Sequence, residues 1–148
     1  MVRLETEVTI NRPVDEVLAF ITDIASFAKW SEKTVEAIQT SDGPLGVGTT
    51  CRIVTRAMGR TMTHEFEVTD YQPGKRYSVR STSGPFPMSM TYTVEQLSHS
   101  TRLHTVSEAD LPGMLAMASN LMRGRVQQQF DTDHLNLKRL LESASPLG

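Results

Sequence analysis

Thr61-Met62-Thr63-His64-Glu65-Phe66-Glu67-Val68-Thr69-Asp70-Tyr71 is the stretch on which the fold turns. Met62, His64, Phe66 and Val68 alternate with Thr61, Thr63, Glu65 and Glu67. A strand sends successive side chains to opposite faces, so these residues form a strand with one dry and one wet face. One-sided strands belong to antiparallel sheets, since parallel strands are usually covered on both faces. Upstream, a tight connection at Met58-Gly59-Arg60 joins this strand to another at 49–56, and the turn cluster Ser41-Asp42-Gly43-Pro44 separates that one from a strand at 34–40. Downstream, Gln72-Pro73-Gly74-Lys75, Ser83-Gly84-Pro85 and Ser98-His99-Ser100 punctuate strands at 77–81, 88–96 and 101–107. A meander of six strands results, and the alternating segment 5–10 adds a seventh.

The period changes on both flanks. Asn11-Arg12-Pro13 reads as a cap with Pro in the first helical turn, and Asp15 and Glu16 suit the positive end of the helix dipole. Val14, Val17, Leu18 and Ile21 form the apolar stripe of that helix. A second short helix is expected over 24–30, capped by Asp23 or Ser26. After Leu111-Pro112-Gly113 a 3.6-residue period runs to about Glu142, roughly 45 Å of helix. Gly124 is a plausible bend within it. The whole chain, 1–148, is expected to be one α+β domain with a frayed tail at 143–148.

Composition bounds the function. Fifteen Lys+Arg stand against seventeen Asp+Glu, a net charge of -2 with no basic cluster, which argues against nucleic acid as a partner. No apolar run approaches the ~20 residues of a membrane span, and the first residues show no signal-peptide pattern. The single cysteine, Cys51, has no internal disulfide partner, which fits a cytoplasmic location.

Eight methionines stand against five Phe, three Tyr and one Trp. Alternation places Met62, Met88, Met90, Tyr92 and Val94 on the sheet's inner face, with His64, Phe66, Cys51, Ile53, Thr55, Tyr77, Val79 and Ser81. The seventh strand is ambiguous, because Leu103 and Thr105 compete with His104 and Val106. On the long helix, Leu115, Ala118, Met122, Val126, Phe130, Leu137 and Leu140 make the core stripe, and Met114, Met117 and Leu121 widen it in the first half. Pliable methionines facing each other with few aromatics between them favour an apolar ligand cavity over a merely Met-rich core. The exposed part of Met114, Met117 and Leu121 offers a surface for homodimerisation.

Asn11-Arg12-Pro13-Val14-Asp15-Glu16-Val17, followed by Asp23 and Trp30-Ser31, resembles the opening of the polyketide cyclase/dehydrase and lipid transport family of the START-like (SRPBCC) superfamily. Gly43-Pro44-Leu45-Gly46-Val47-Gly48-Thr49, Tyr71-Gln72-Pro73-Gly74-Lys75-Arg76 and Ser83-Gly84-Pro85-Phe86-Pro87 resemble its later turns, in order, across nearly the whole chain. The resemblance implies a helix-grip fold, in which a seven-stranded antiparallel sheet wraps a long C-terminal helix around a hydrophobic cavity. These are turn and capping motifs, and no catalytic set carries over with them.

Binding or transport of a small hydrophobic molecule (a lipid, polyketide or aromatic metabolite) is therefore the leading expectation, with a polyketide cyclase or dehydratase as the alternative. Expected ligand contacts are Met62, His64, Phe66, Tyr77, Ser81, Met88, Met90, Tyr92, Met114, Ala118, Met122 and Val126. His64 and Tyr92 are the candidates for acid–base or orienting chemistry. The bland alternative makes His64 a core histidine satisfied by a backbone carbonyl or the Tyr92 hydroxyl. Asp133, unexpected on a core stripe, is assigned to a helix bend that turns it outward, with pairing to a cation or a place at the wet end of the cavity as the alternatives, and Gln129 shares its position. Arg52, Arg56 and Arg80 are expected on the outer sheet face, and Trp30 is expected to pack the short helices onto the sheet end and help define the cavity entrance. No cofactor is expected: 43–48 lacks the Lys-Ser/Thr of a phosphate loop, and His64, His99, His104 and His134 lack zinc-ligand spacing.

Overall fold

A computed structural model describes residues 2–57, 59–110 and 119–143, without the side chains of 119–122. Seven strands, β1 (Val2–Ile10), β2 (Thr34–Gln39), β3 (Thr50–Ala57), β4 (Arg60–Gln72), β5 (Arg76–Ser83), β6 (Met88–Gln96) and β7 (Thr101–Ala109), form one sheet. Its order is β1-β7-β6-β5-β4-β3-β2, with every neighbouring pair antiparallel. Strands β2 to β7 are the expected meander. The chain crosses from edge strand β1 to edge strand β2 through α1 (Val14–Thr22), a 3₁₀ turn at Ile24–Ser26 and the single-turn α2 (Phe27–Trp30). The expected second helix thus divides in two.

The N-terminus of α1 is held differently from expectation. Pro13 occupies the cap position, where it makes no side-chain bond. The Val14 N–H instead donates to Gln96 Oε1 at 2.9 Å, from the end of β6. Pro at the cap leaves the first helical N–H to find a distant acceptor.

Helix α3 (Ser119–Ser143) runs about 38 Å and continues through Gly124. It lies along the free edge of β1 in the same direction. Arg123 donates to Arg3 O (3.2 Å), Gln127 to Glu5 O (3.0 Å) and Lys138 to Thr9 O (2.6 Å), and Arg12 donates to Glu142 O (3.1 Å). The spacing is consistent: Arg3 to Thr9 in the strand and Arg123 to Lys138 in the helix each span about 20 Å. Edge carbonyls that could template another chain are thereby occupied.

This placement fixes which helical face is buried. Leu137 and His134 are fully enclosed and Leu141 is buried, with Phe130 half-buried. Val126 (46% exposed) and Leu140 (38%) point outward, contrary to the expected stripe. The β7 ambiguity resolves to Thr101, Leu103, Thr105 and Ser107 inward. Arg52, Arg56 and Arg80 are exposed, as expected, and Arg52 and Arg80 pair there with Glu65 and Glu67.

Two groups of buried side chains make the core. One joins α1, α3 and the middle of the sheet through Ile10, Val17, Leu18, Ile21, Trp30, Val68, Tyr77, Tyr92, Val94, Leu103, Leu137 and Leu141. The other, Ile24, Ala37, Cys51, Ile53 and Phe66, sits at the β2–β3–β4 side.

Candidate functional site

A cavity of about 150 Å³ occupies the seam between the two core groups. Ile21, Ile24 and Phe27 of the N-terminal helices face Cys51, Ile53, Thr55, His64, Phe66, Tyr77, Val79, Met88, Met90 and Tyr92 of strands β3 to β6 across it. Along β6 burial falls from Val94 and Tyr92 to the half-buried Met90 and Met88, so the inner face grades from core into cavity. A second space of about 110 Å³ adjoins it, sharing Phe27, Ser31 and Met90 and adding Trp30, Phe130, Asp133 and His134.

His64 is 5% exposed, stacked on Phe66 with centroids 6.0 Å apart and touched edgewise by Phe86. Its Nε2 is 3.5 Å from Thr55 Oγ1, a weak bond. Its buried Nδ1 has no partner among the described residues. Gly84 packs over that nitrogen so closely that a Cβ there would stand 3.3 Å away. The expected satisfaction by a carbonyl or by Tyr92 is not found: the Tyr92 hydroxyl donates to Met90 Sδ at 2.7 Å. Burial lowers the pKa of His64 and keeps the imidazole neutral. The stacked phenols Tyr77 and Tyr92, 5.8 Å apart, are raised by burial and stay protonated. Burial pushes the Cys51 thiol up to about 11, which makes it an inert wall and not a nucleophile.

The second chamber is where sequence reasoning fell short. Trp30 is 2% exposed and makes edge contacts with Phe27, Tyr92 and His134, so it is an inner wall and not an entrance lip. Its Nε1–H has no acceptor among the described residues. Asp133 is half-buried instead of turned outward. Its Oδ1 accepts from the Glu32 N–H (3.1 Å) and Gln129 Nε2 (2.9 Å), tying α3 to the loop after α2. Burial raises its pKa against the opposing effect of those bonds. His134 was missed as a core residue. Its Nδ1–H donates to Phe130 O (2.9 Å), which leaves Nε2 to accept from the Thr105 hydroxyl (2.9 Å). Its spacing from Phe130, Leu137 and Leu141 was the available signal, since all four fall within about 60° of the helix circumference.

His64, Phe66, Tyr77, Met88, Met90 and Tyr92 of the expected contacts stand on the first cavity's wall. Met62 is half-buried off the wall, Ser81 accepts the Met88 N–H (2.9 Å) between β5 and β6, and Val126 faces out. The side chains of Met114, Ala118 and Met122, and the surface of Met114, Met117 and Leu121, lie outside the described residues, as do 144–148. Among the described residues no three His, Cys, Asp or Glu side chains converge as metal ligands would, and no helix is long and apolar enough to cross a membrane.

A curled antiparallel sheet, a long C-terminal helix along its edge and a cavity beneath the short helices define a helix-grip, START-like fold. Residues 1–142 match the polyketide cyclase / dehydrase and lipid transport family, and the chain belongs to it. Among solved structures, TTHA0849 from Thermus thermophilus superposes with a TM-score of 0.83 at 18% identity, covering 97% of this chain and 99% of that one. A START superfamily protein from Mycobacterium smegmatis gives 0.77 at 14% identity, over 97% and 99%. The Zhui aromatase/cyclase from Streptomyces sp. R1128 gives 0.74 at 17%, over 95% and 93%. No curated protein matches the chain. At these identities the likeness is one of fold.

Proposed function

We propose that the protein binds a small hydrophobic molecule in the paired chambers, as a carrier or sequestering protein. The observation behind this is the apolar cavity at the core seam, whose few polar groups are uncharged or incompletely bonded. Each ligand CH₂ buried there contributes about 0.8 kcal/mol. Native mass spectrometry of protein purified from cells, with thermal shifts against a panel of lipids and aromatic compounds, tests the reading. A ligand at a hundred times its Kd adds about 2.7 kcal/mol of stability. Absence of both a co-purifying mass and any stabilising compound refutes it.

The second reading is a cyclase or dehydratase of poly-β-ketone substrates, favoured by one observation: a neutral, weakly bonded imidazole, His64, on a dry wall. Preorganising a reactive chain beside one acid–base group is its physical logic. His64→Ala separates the two, since a catalyst loses turnover while retaining binding and a carrier changes only in affinity.

A further inference from the structure

The second chamber holds an unbalanced charge. Among the described residues Asp133 is the one carboxylate on the walls of either chamber, and no Lys or Arg lines them. His134 beside it supplies no positive charge, since burial lowers its pKa and both ring nitrogens are bonded. Lys33 is exposed and forms no ion pair with Asp133. Glu32, whose N–H reaches Asp133, has a side chain of the same sign. The segment 111–122, LPGMLAMASNLM, contains no charged residue, so it brings no cation either. A carboxylate partly withdrawn from water is costly without a counter-charge, and such groups are normally paired.

The bonds Asp133 does make leave one oxygen over. Oδ1 takes both the Glu32 N–H and Gln129 Nε2. Oδ2 accepts from no described residue, and it is not sealed off as Trp30 Nε1 and His64 Nδ1 are. The rest of the wall suits a cation. Phe27 and Trp30 meet at 86° with centroids 4.8 Å apart, and Phe130 and His134 at 61° and 4.7 Å, so rings bound the space from several directions. Aromatic faces attract alkylammonium groups, most strongly where water is excluded. The larger chamber bears no charged side chain among the described residues, and at about 150 Å³ it is of the size that holds a benzene ring.

We propose that the second chamber seats the cationic head of an amphipathic ligand, an alkylammonium group paired with Asp133 among the Phe27, Trp30 and Phe130 rings, while the ligand's apolar part fills the larger chamber. This rests on the chambers being a ligand site. Two probes of equal shape test it in NMR titrations at neutral pH: (2-phenylethyl)trimethylammonium and its uncharged carbon isostere, (3,3-dimethylbutyl)benzene. Wild-type protein binds the ammonium at least as tightly as the hydrocarbon, although the hydrocarbon leaves water far more readily. Asp133→Asn keeps an Oδ1 acceptor for the Glu32 N–H and removes the charge, so the ratio of ammonium to hydrocarbon affinity falls about tenfold or more. An Asp133 that served only to tie α3 to the loop after α2 would leave that ratio unchanged. Wild-type protein offers an independent measurement: the titration midpoint of the Asp133 carboxyl ¹³C signal moves to lower pH with the ammonium bound and not with the hydrocarbon. Tighter binding of the hydrocarbon than of the ammonium, an unchanged ratio in the variant, or an unmoved Asp133 midpoint overturns the cation site and leaves the ligand-site reading standing. Failure of both probes to bind overturns both this inference and the reading beneath it.

Discussion

Acidification from about pH 7.5 to about pH 5.5 should cost this fold stability through its two buried histidines. His134 is 2% exposed and His64 5%. Burial is the largest influence on each and lowers both below the ordinary 6.5. The unfolded chain therefore binds more protons than the folded one in this window. Their contribution is fully present above about 6.5 and is lost as the pH falls toward the folded-state values. The limiting slope is about 1.4 kcal/mol per pH unit for each histidine, so the pair can remove up to about 2.7 kcal/mol between pH 7.5 and 5.5, out of the 5–15 kcal/mol typical of a domain. Asp133 works the other way. Its raised pKa means the folded state takes up its proton first, which returns some stability as the pH falls. Asp133→Asn removes that opposition and keeps an Oδ1 acceptor for the Glu32 N–H. Urea midpoints of Asp133→Asn at several pH values read the slope, and adding His134→Asn should reduce it by about half. A stability constant to within about 0.5 kcal/mol across the window would refute the reasoning, because it would mean burial does not disfavour imidazolium here.

Three further outcomes follow from packing and access. Leu137→Ala deletes a side chain of zero exposure at the α3–sheet contact and should cost about 2–5 kcal/mol in chemical unfolding; a loss below about 1 kcal/mol would show that α3 is loosely seated. Gly84→Ala places a methyl 3.3 Å from His64 Nδ1 at a backbone φ of +150° and should lower stability by about 1–2 kcal/mol, whereas a neutral thermal melt would count against the close packing of that turn. Cys51, buried and raised to about 11, should react with a thiol reagent at about pH 8 only as fast as the chain unfolds, and rapid labelling in the absence of urea would contradict its burial.

Most of the fold was legible because backbone geometry repeats locally. The alternation in β4 and the turns around Gly59, Gly74 and Ser98 need no knowledge of the rest of the chain, and β6 falls at Met88–Gln96 as its pattern implies. What escaped was set at long range. The N-terminus of α1 depends on Gln96, 82 residues away, and no local cap signature records that. The buried face of α3 depends on how Arg123, Gln127 and Lys138 seat it on β1. Scoring polarity alone placed Val126 and Leu140 inside and left His134 out, although a histidine bonded at both nitrogens can be buried almost as comfortably as a leucine. The strand-borne walls of the cavity were readable by alternation. Trp30 and Asp133 were not, since α2 and α3 meet only in the folded chain.

The unpartnered nitrogens of His64 and Trp30 are not equivalent, and the difference bears on whether His64 can act as a base. His64 Nδ1 is covered by Gly84, where an N–H would have no acceptor. A bare lone pair is the lesser penalty at a buried site, since orphaned N–H groups are the rarer kind. The proton then sits on Nε2, the nitrogen beside Thr55 on the cavity wall, and the 3.5 Å separation leaves it easily redirected to a guest. In that tautomer His64 offers the cavity a donor and has no lone pair facing a substrate. General-base chemistry would require the opposite tautomer, with an N–H buried against Gly84. We therefore expect the ¹⁵N shifts of His64 at neutral pH to show Nε2 protonated and Nδ1 bare, and the Nε2–H to move downfield when a carbonyl ligand binds. Observation of the Nδ1-protonated form would reverse the assignment, give the cavity an acceptor where a base is needed, and shift the balance from carrier to cyclase.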